Sequence, residues 1–300
     1  MPASNVNLID ASCLRQHVEQ LCGTPRPAGS AALKAARSYA TQALEKLGSE
    51  VVPDPFSTRD AEGRPLAGIN LVAVHKSHPL GAGPRLSVGA HLDSRAESPG
   101  ADDNGSAVAA LLEIARCLPE FWPDNPKLAL ELVLYDLEEN GMLGGAHRAA
   151  QMQAAGVDLK GMVSLEMLGY CSHAPNSQAL PRTLVGLYPS VGNFIAIIGN
   201  QISTRLIEEY RAGMSVMAGL PIETLQVPHN GNLLQATRLS DHSPFWDAGF
   251  PALMITDTSF LRNPHYHLAS DTADTLDYEF LTRVANGSLH AVRRLIASGV

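Results

Sequence analysis

A chain of 300 residues with 45% hydrophobic content can bury a sizeable core in a single large α/β domain, while a formal charge of −8 without any Lys/Arg cluster leaves no electrostatic footprint for nucleic acid or an anionic membrane surface. No apolar stretch reaches the ~20 residues needed to span a bilayer, and Met1 to Leu8 carries neither a basic nor an apolar signal region, so a cytoplasmic location is expected. Cys13, Cys22, Cys117 and Cys171 are scattered and form no C-x-x-C pair; they read as reduced thiols, Cys117 as a core residue.

Residues 8–22 and 30–47 read as amphipathic helices joined by a Gly/Pro-rich link. In the second, Leu33, Ala36, Ala40, Ala43, Leu44 and Leu47 recur at helical spacing, Ser30 can cap the start and Gly48 fits the position just past the end. Strands are expected at 50–52, 70–74 and 85–90, the last delivering His91. Gly105 to Leu118 is apolar almost all round and reads as a buried helix. After a break at 119–126, Lys127 to Asp136 is a strand ending in Leu137-Glu138-Glu139-Asn140-Gly141, and a helix is expected over 143–154. Met162 to Leu165 is a short strand running into Glu166-Met167. Residues 171–189 read as a loop, 194–199 as a strand, 201–213 as a helix, 222–227 as a strand and 228–240 as a loop. A strand at 251–256 and a helix at about 277–298 close the chain. Strands alternating with helices imply a three-layer α/β/α sandwich around a mixed, mostly parallel sheet, taken as one catalytic domain over residues 1–300.

Three strands end in a histidine or an acid, and ligands of open α/β sheets bind at the carboxyl ends of strands. The inventory is His91, an Asp102/Asp103 pair, a Glu138/Glu139 pair, Glu166 and a late His265/His267 pair. A zinc ion takes N and O ligands in a small shell, and two metals about 3.5–4 Å apart need a carboxylate between them. Two histidines and three acids satisfy both ions, which leaves one acid to act as a general base.

These residues lie in His-Leu-Asp-Ser at 91–94, Pro-Gly-Ala-Asp-Asp at 99–103, Glu-Glu at 138–139, Glu-Met at 166–167 and Asn-Pro-x-x-His from 263. In that order the blocks resemble the co-catalytic dizinc aminopeptidases of the bacterial leucine-aminopeptidase type, whose superfamily also holds glutamate carboxypeptidase, transferrin receptor and glutaminyl cyclase. The resemblance covers essentially the whole chain. It implies two zinc ions per chain, cobalt or manganese being able to substitute, with Asp102 as the bridging carboxylate, His91 and Glu166 completing one site, and Glu139 and His267 the other. It makes Glu138 the base and Asp93 the partner that fixes the His91 tautomer, since residues two apart on an extended segment share a face. It assigns Met167, Asp241 and His242 to the substrate site. The acid at 166 is Asp in the best-known members and Glu here, a longer arm offering the same oxygens. The implied reaction is hydrolysis of the amino-terminal bond of a peptide substrate by a water that both metals activate.

Each residue also has an ordinary reading. Asp102-Asp103 can be a turn with Asn104-Gly105, and this is the role expected of Asp103. Trp246, Phe245 and Tyr266 are read as packing residues. The remaining histidines have no acid partners at suggestive spacing. A glutaminyl cyclase is one rival, but such enzymes typically carry Trp before the last histidine, where Tyr266 stands. A binding protein like transferrin receptor would lack ligands that are all present here. A carboxypeptidase or dipeptidase on the same scaffold is a third reading, and the lack of an Arg cluster near the blocks argues against an acidic carboxyl-terminal substrate. Oligomeric state has no signature in the sequence.

Overall fold

The computed structural model describes residues 7–300; the first six residues, most of the segment read above for targeting signals, lie outside the described residues. Two helices open the chain, α1 (Ala11–Leu21) and α2 (Ala31–Lys46). The side chains of Asp10 and Ser30 accept hydrogen bonds from their first-turn amides, and Gly48 follows α2 at φ 89°, so the sequence signals act as caps. Next come β1 (Ser49–Arg59), β2 (Pro65–His75), β3 (Arg85–His91), α3 (Ala107–Cys117), β4 (Ala129–Tyr135), α4 (Leu143–Ala154) and β5 (Leu159–Glu166). The chain ends with β6 (Ile195–Asn200), α5 (Thr204–Met214), β7 (Ile222–Val227), α6 (His242–Asp247), β8 (Ala252–Thr256) and α7 (Tyr278–Ser298).

Most elements fall where expected, although β2 starts five residues before the expected strand and α6 has no expected counterpart; two further differences are informative. β1 runs through Pro53 and Pro55, well past the expected 50–52, because it lies at the edge of the sheet and pairs only with β2, where a missing amide donor is tolerated. The buried helix starts at Ala107 rather than Gly105, since residues 101–106 form an irregular turn with non-helical backbone at Asp103 and Asn104.

The strands form one eight-stranded sheet in the order β1-β2-β4-β3-β5-β8-β6-β7. β4, β3, β5 and β8 are parallel, as are β6 and β7, while the β1/β2, β2/β4 and β8/β6 pairs are antiparallel. Alternation along the strands divides the core in two. Leu86, Val88 and Ala90 of β3 and Val163 and Leu165 of β5 pack with α1, α2, α3, α5 and α7. Val133 and Tyr135 of β4, Met162 of β5 and Met254 of β8 face the other way, onto α4 and α6. His91 and Glu166 lie at even offsets from the second set. Gly89 is opposite Ser164, and His91 and Glu166 are each two residues further, so both emerge side by side on that face at the carboxyl edge of the sheet. Among the described residues no helix is long and apolar enough to cross a membrane. All four cysteines are free and Cys117 is buried, as expected.

The loop leaving β3 is held by a buried cation. Arg26, 1% exposed, donates through its guanidinium to the carbonyls of Leu92 (2.9 Å), Pro99 (2.6 Å), Gly100 (3.1 Å) and Leu21 (3.2 Å). Gly100 itself has φ 64°, and a Cβ there would stand 2.2 Å from the Asp103 carbonyl oxygen, so only glycine fits. Arg26→Met keeps much of the bulk but removes four hydrogen bonds to loop carbonyls, of which that of Gly100 keeps the Gly105 amide, and it is expected to cost roughly 3–5 kcal/mol of stability. A urea-unfolding midpoint unchanged from wild type would contradict that role.

Candidate metal centre

Five segments distant in sequence meet at the carboxyl edge of the central strands. β3 ends in His91, the irregular turn brings Asp103, the link after β4 brings Glu138 and Glu139, β5 ends in Glu166, and the loop after β8 brings His267. His91 Nε2 stands 3.3 Å from Asp103 Oδ1, 3.6 Å from Glu166 Oε2 and 3.8 Å from Glu138 Oε2. His267 Nε2 stands 3.1 Å from the other oxygen of Asp103 and 3.2 Å from Glu139 Oε2. Two three-residue groups result, His91/Asp103/Glu166 and Asp103/Glu139/His267, with the ligand atoms of each within 4.8 Å of one another. Asp103 belongs to both.

The carboxylate between the imidazoles is therefore Asp103 and not Asp102. Asp102 turns the opposite way: its carboxylate accepts from the Gly169 amide (2.9 Å), Ser106 Oγ (3.0 Å) and Asn263 Nδ2 (2.7 Å), and it hydrogen-bonds with Asp257. The backbone amides of both Asp102 and Asp103 donate to the Asp271 carboxylate, at 2.9 and 3.1 Å, so Asp271 clamps the turn in the orientation that aims only the second side chain at the site. The ordinary turn role thus falls to Asp102. Nothing in the local sequence separates the two, because the alternation that orders neighbours on a strand does not extend into an irregular turn.

Other expectations divide. Asp93 is in place, but its part is different: its backbone oxygen is 3.1 Å from His91 Nδ1, while its carboxylate, 3.5 Å away, accepts the amides of Glu138 (3.2 Å) and Glu139 (3.1 Å). One acid thereby holds the segments carrying His91 and the Glu pair in register. Met167, Asp241 and His242 do not line the cavity beside the carboxylates; all three are fully buried behind it. Met167 is fixed by Asn104 Oδ1 on its amide and Asp257 N on its carbonyl, and His242 packs edge-on against Trp246 with Nε2 2.9 Å from the Thr237 carbonyl. Phe245 and Trp246 are core residues, as read. Tyr266 is not: its ring stacks on His267 at 3.7 Å and faces the cavity. His265 bonds Ser270 away from the centre.

Residues without a sequence signal complete the surroundings. Ser240 Oγ donates to Glu166 Oε2 at 2.7 Å, and Arg95 Nε pairs with Glu139 Oε2 at 2.9 Å. One guanidinium therefore does reach the site.

The electrostatics are those of acids crowded out of water. Burial, reinforced by Glu166, Asp241 and Glu139, pushes the Glu138 carboxyl well above its usual range against the pull of His91. Burial also raises Glu139 and Glu166. The imidazoles go up in spite of burial: Glu166 and Glu138 raise His91 strongly, and the neighbouring Asp103 and Glu139 carboxylates bring His267 to about 9. Asp103, between two imidazoles, is held well below the ordinary carboxylate range although burial opposes it.

Whether this donor set suits a metal is tested by its unused atoms. His91 Nε2, His267 Nε2 and Glu139 Oε1 are buried with no hydrogen-bond partner, although oxygens lie close to each imidazole. Ring nitrogens aimed at carboxylates without hydrogen-bond geometry fit ligands that share a cation, and two imidazoles with three carboxylates are a zinc-type set.

A three-layer α/β fold with a doubled carboxylate–imidazole cluster at its strand ends is the setting in which comparisons with known proteins place the chain. The family model for Peptidase family M28 matches residues 70–292, and the chain belongs to that family. It is 32% identical over 295 residues to the uncharacterized protein YfbL of Escherichia coli K12, covering 90% of each chain. The fold resembles BSAP, a zinc aminopeptidase from Bacillus subtilis, with a TM-score of 0.73 at 17% identity over 97% of this chain and 96% of that one. It equally resembles glutaminyl cyclase from Porphyromonas gingivalis, with a TM-score of 0.71 at 19% identity over 95% of this chain and 98% of that one. The protein is thus a peptidase by family.

Proposed function

We propose that this chain, as one catalytic domain, is an aminopeptidase that holds one zinc ion by His91, Asp103 and Glu166 and a second by Asp103, Glu139 and His267. The observation that carries the reading is Asp103, whose two oxygens face separate imidazoles at 3.3 and 3.1 Å. When bound, such ions polarise a scissile carbonyl and acidify an attacking water.

The chain's residues supply the rest. Glu138 belongs to neither three-residue group yet faces the same cavity, which leaves its carboxylate free to act as a base. It takes a proton from the water as the water oxygen bonds to the carbonyl carbon, then delivers it to the amide nitrogen as the C–N bond breaks. Two products leave, a free amino acid and a peptide shortened by one residue. The cavity's one guanidinium, Arg95, is paired with Glu139, so it is not left free for a substrate carboxylate, which supports amino- over carboxypeptidase action. Beside Glu166 opens a largely apolar pocket lined by Phe194, Ile198, Leu225 and Met254, which suits the side chain of the first residue. Four unpaired thiols suit a reducing, cytoplasmic setting.

The test joins metal analysis to a substrate panel of aminoacyl p-nitroanilides, amino-blocked peptides and a peptide with amino-terminal Gln. The expected result is about two zinc ions per chain, consistent with the two-metal mechanism, and hydrolysis confined to substrates with a free amine. Cyclisation of the Gln peptide without hydrolysis would replace the reading by an acyl transferase; well under one ion per chain and no hydrolysis with added zinc would replace it by a binding protein.

A further inference from the structure

The pocket beside Glu166 is apolar over most of its lining but is not closed by an apolar end. Four strands lay out its floor in register. Glu166 of β5 is opposite Thr256 of β8, Thr256 is opposite Ala196 of β6, and Ala196 is opposite Glu223 of β7. Residues paired across a sheet share a face, so these four side chains stand in one row, and all four line the pocket. Met254 and Ile198 make the next row. The row thus begins and ends in a carboxylate, with only Thr256 and the small Ala196 between. At ~4.8 Å per strand the backbones at Glu166 and Glu223 are about 14 Å apart.

We infer that Glu223 receives the cationic end of an amino-terminal lysine or arginine, which makes this a specificity pocket for basic residues. The inference rests on the aminopeptidase reading above for the position of the α-ammonium at the Glu166 end. The lengths are compatible with Glu166 left to the zinc site: a lysine or arginine side chain entering from the Glu166 end reaches roughly 6–7 Å beyond its Cα, and the Glu223 side chain covers several ångströms of the remaining span. A leucine side chain ends several ångströms short of Glu223. The stem of a lysine or arginine is apolar, which suits the Ala196, Ile198 and Met254 floor, while its charge needs an acid at the far end. Glu223 is half-buried on the edge strand, and no lysine, arginine or histidine pairs with it among the described residues. Beside it, the Tyr188 hydroxyl donates to the Thr224 carbonyl at 2.9 Å, which fixes that ring against the acid's strand.

The deciding comparison is lysine against norleucine, which has the same stem without the charge. With the zinc-loaded protein, kcat/KM for the two p-nitroanilides is measured in wild type and in Glu223→Gln, together with binding of L-lysinamide and L-norleucinamide by calorimetry. Wild type is expected to favour lysine, and Glu223→Gln to lower the lysine-to-norleucine ratio about tenfold, in KM more than in kcat, as for a partly exposed ion pair that carries about 1.4 kcal/mol. Glu223→Lys should invert the ratio. A ratio below one in wild type, or one that Glu223→Gln leaves unchanged, overturns the inference and shows the pocket takes long neutral side chains. Should no p-nitroanilide be hydrolysed, the aminopeptidase reading fails by itself; the lysinamide preference and its loss in Glu223→Gln still decide the pocket, a missing preference overturning it.

Discussion

Glu138→Gln is expected to keep both metal sites loaded and to lose turnover by about 10³-fold, within the range that positioned acid–base groups contribute. The amide keeps the shape and stays in the cavity beside His91, but it cannot accept the water's proton. Because Glu138 stands outside both ligand groups, zinc content measured after gel filtration should equal that of wild type. Glu139→Gln should behave in the opposite way, since Glu139 faces His267 at 3.2 Å and its Oε1 has no other partner. Metal lost from Glu138→Gln and retained in Glu139→Gln would show the two roles reversed.

The second large effect separates the two neighbouring aspartates. Asp103→Asn removes the negative charge that both imidazoles face, and it should weaken metal binding by more than the roughly 10–100-fold typical of losing an outer partner. Dialysis against a mild chelator should then leave the variant nearly metal-free under conditions where wild type stays loaded. Asp102→Asn should retain its metal, because the Asp102 carboxylate spends itself on Gly169, Ser106 and Asn263 and only shapes the turn. Its cost should be felt in thermal stability, about 1 kcal/mol for a rearranged buried hydrogen bond. Equal metal loss in both variants would return the bridge to an unresolved pair.

Much of this was legible because the relevant order is periodic. Periodicity marks His91 and Glu166 as strand ends whatever the loops do, and the capping signals at Ser30 and Gly48 start and end α2 where they stand. Trp246 and Phe245 read as core since bulky aromatics beside a strand have few alternatives to burial. Legibility fell where the backbone leaves regular geometry. The 101–106 turn reverses the expected roles of Asp102 and Asp103, and the loop after β8 stacks Tyr266 on His267 instead of into the core. Met167, Asp241 and His242 adjoin the centre in sequence blocks yet lie behind it, because adjacency along a chain says nothing of which side of a loop faces solvent.

The sequence by itself determined the class of the sheet, the strand ends at which polar side chains emerge, and a stock of two imidazoles and several carboxylates able to hold two cations around a base. These follow from local periodicity and from the chemistry of each side chain. Only the tertiary structure decided which aspartate is shared, that Asp93 clamps the Glu pair, and that Glu223 stands in one row with Glu166 across four strands. Those facts depend on the register between segments far apart in the chain, where packing and clamps such as Asp271 and Arg26 choose among orientations that the local sequence leaves equal in energy.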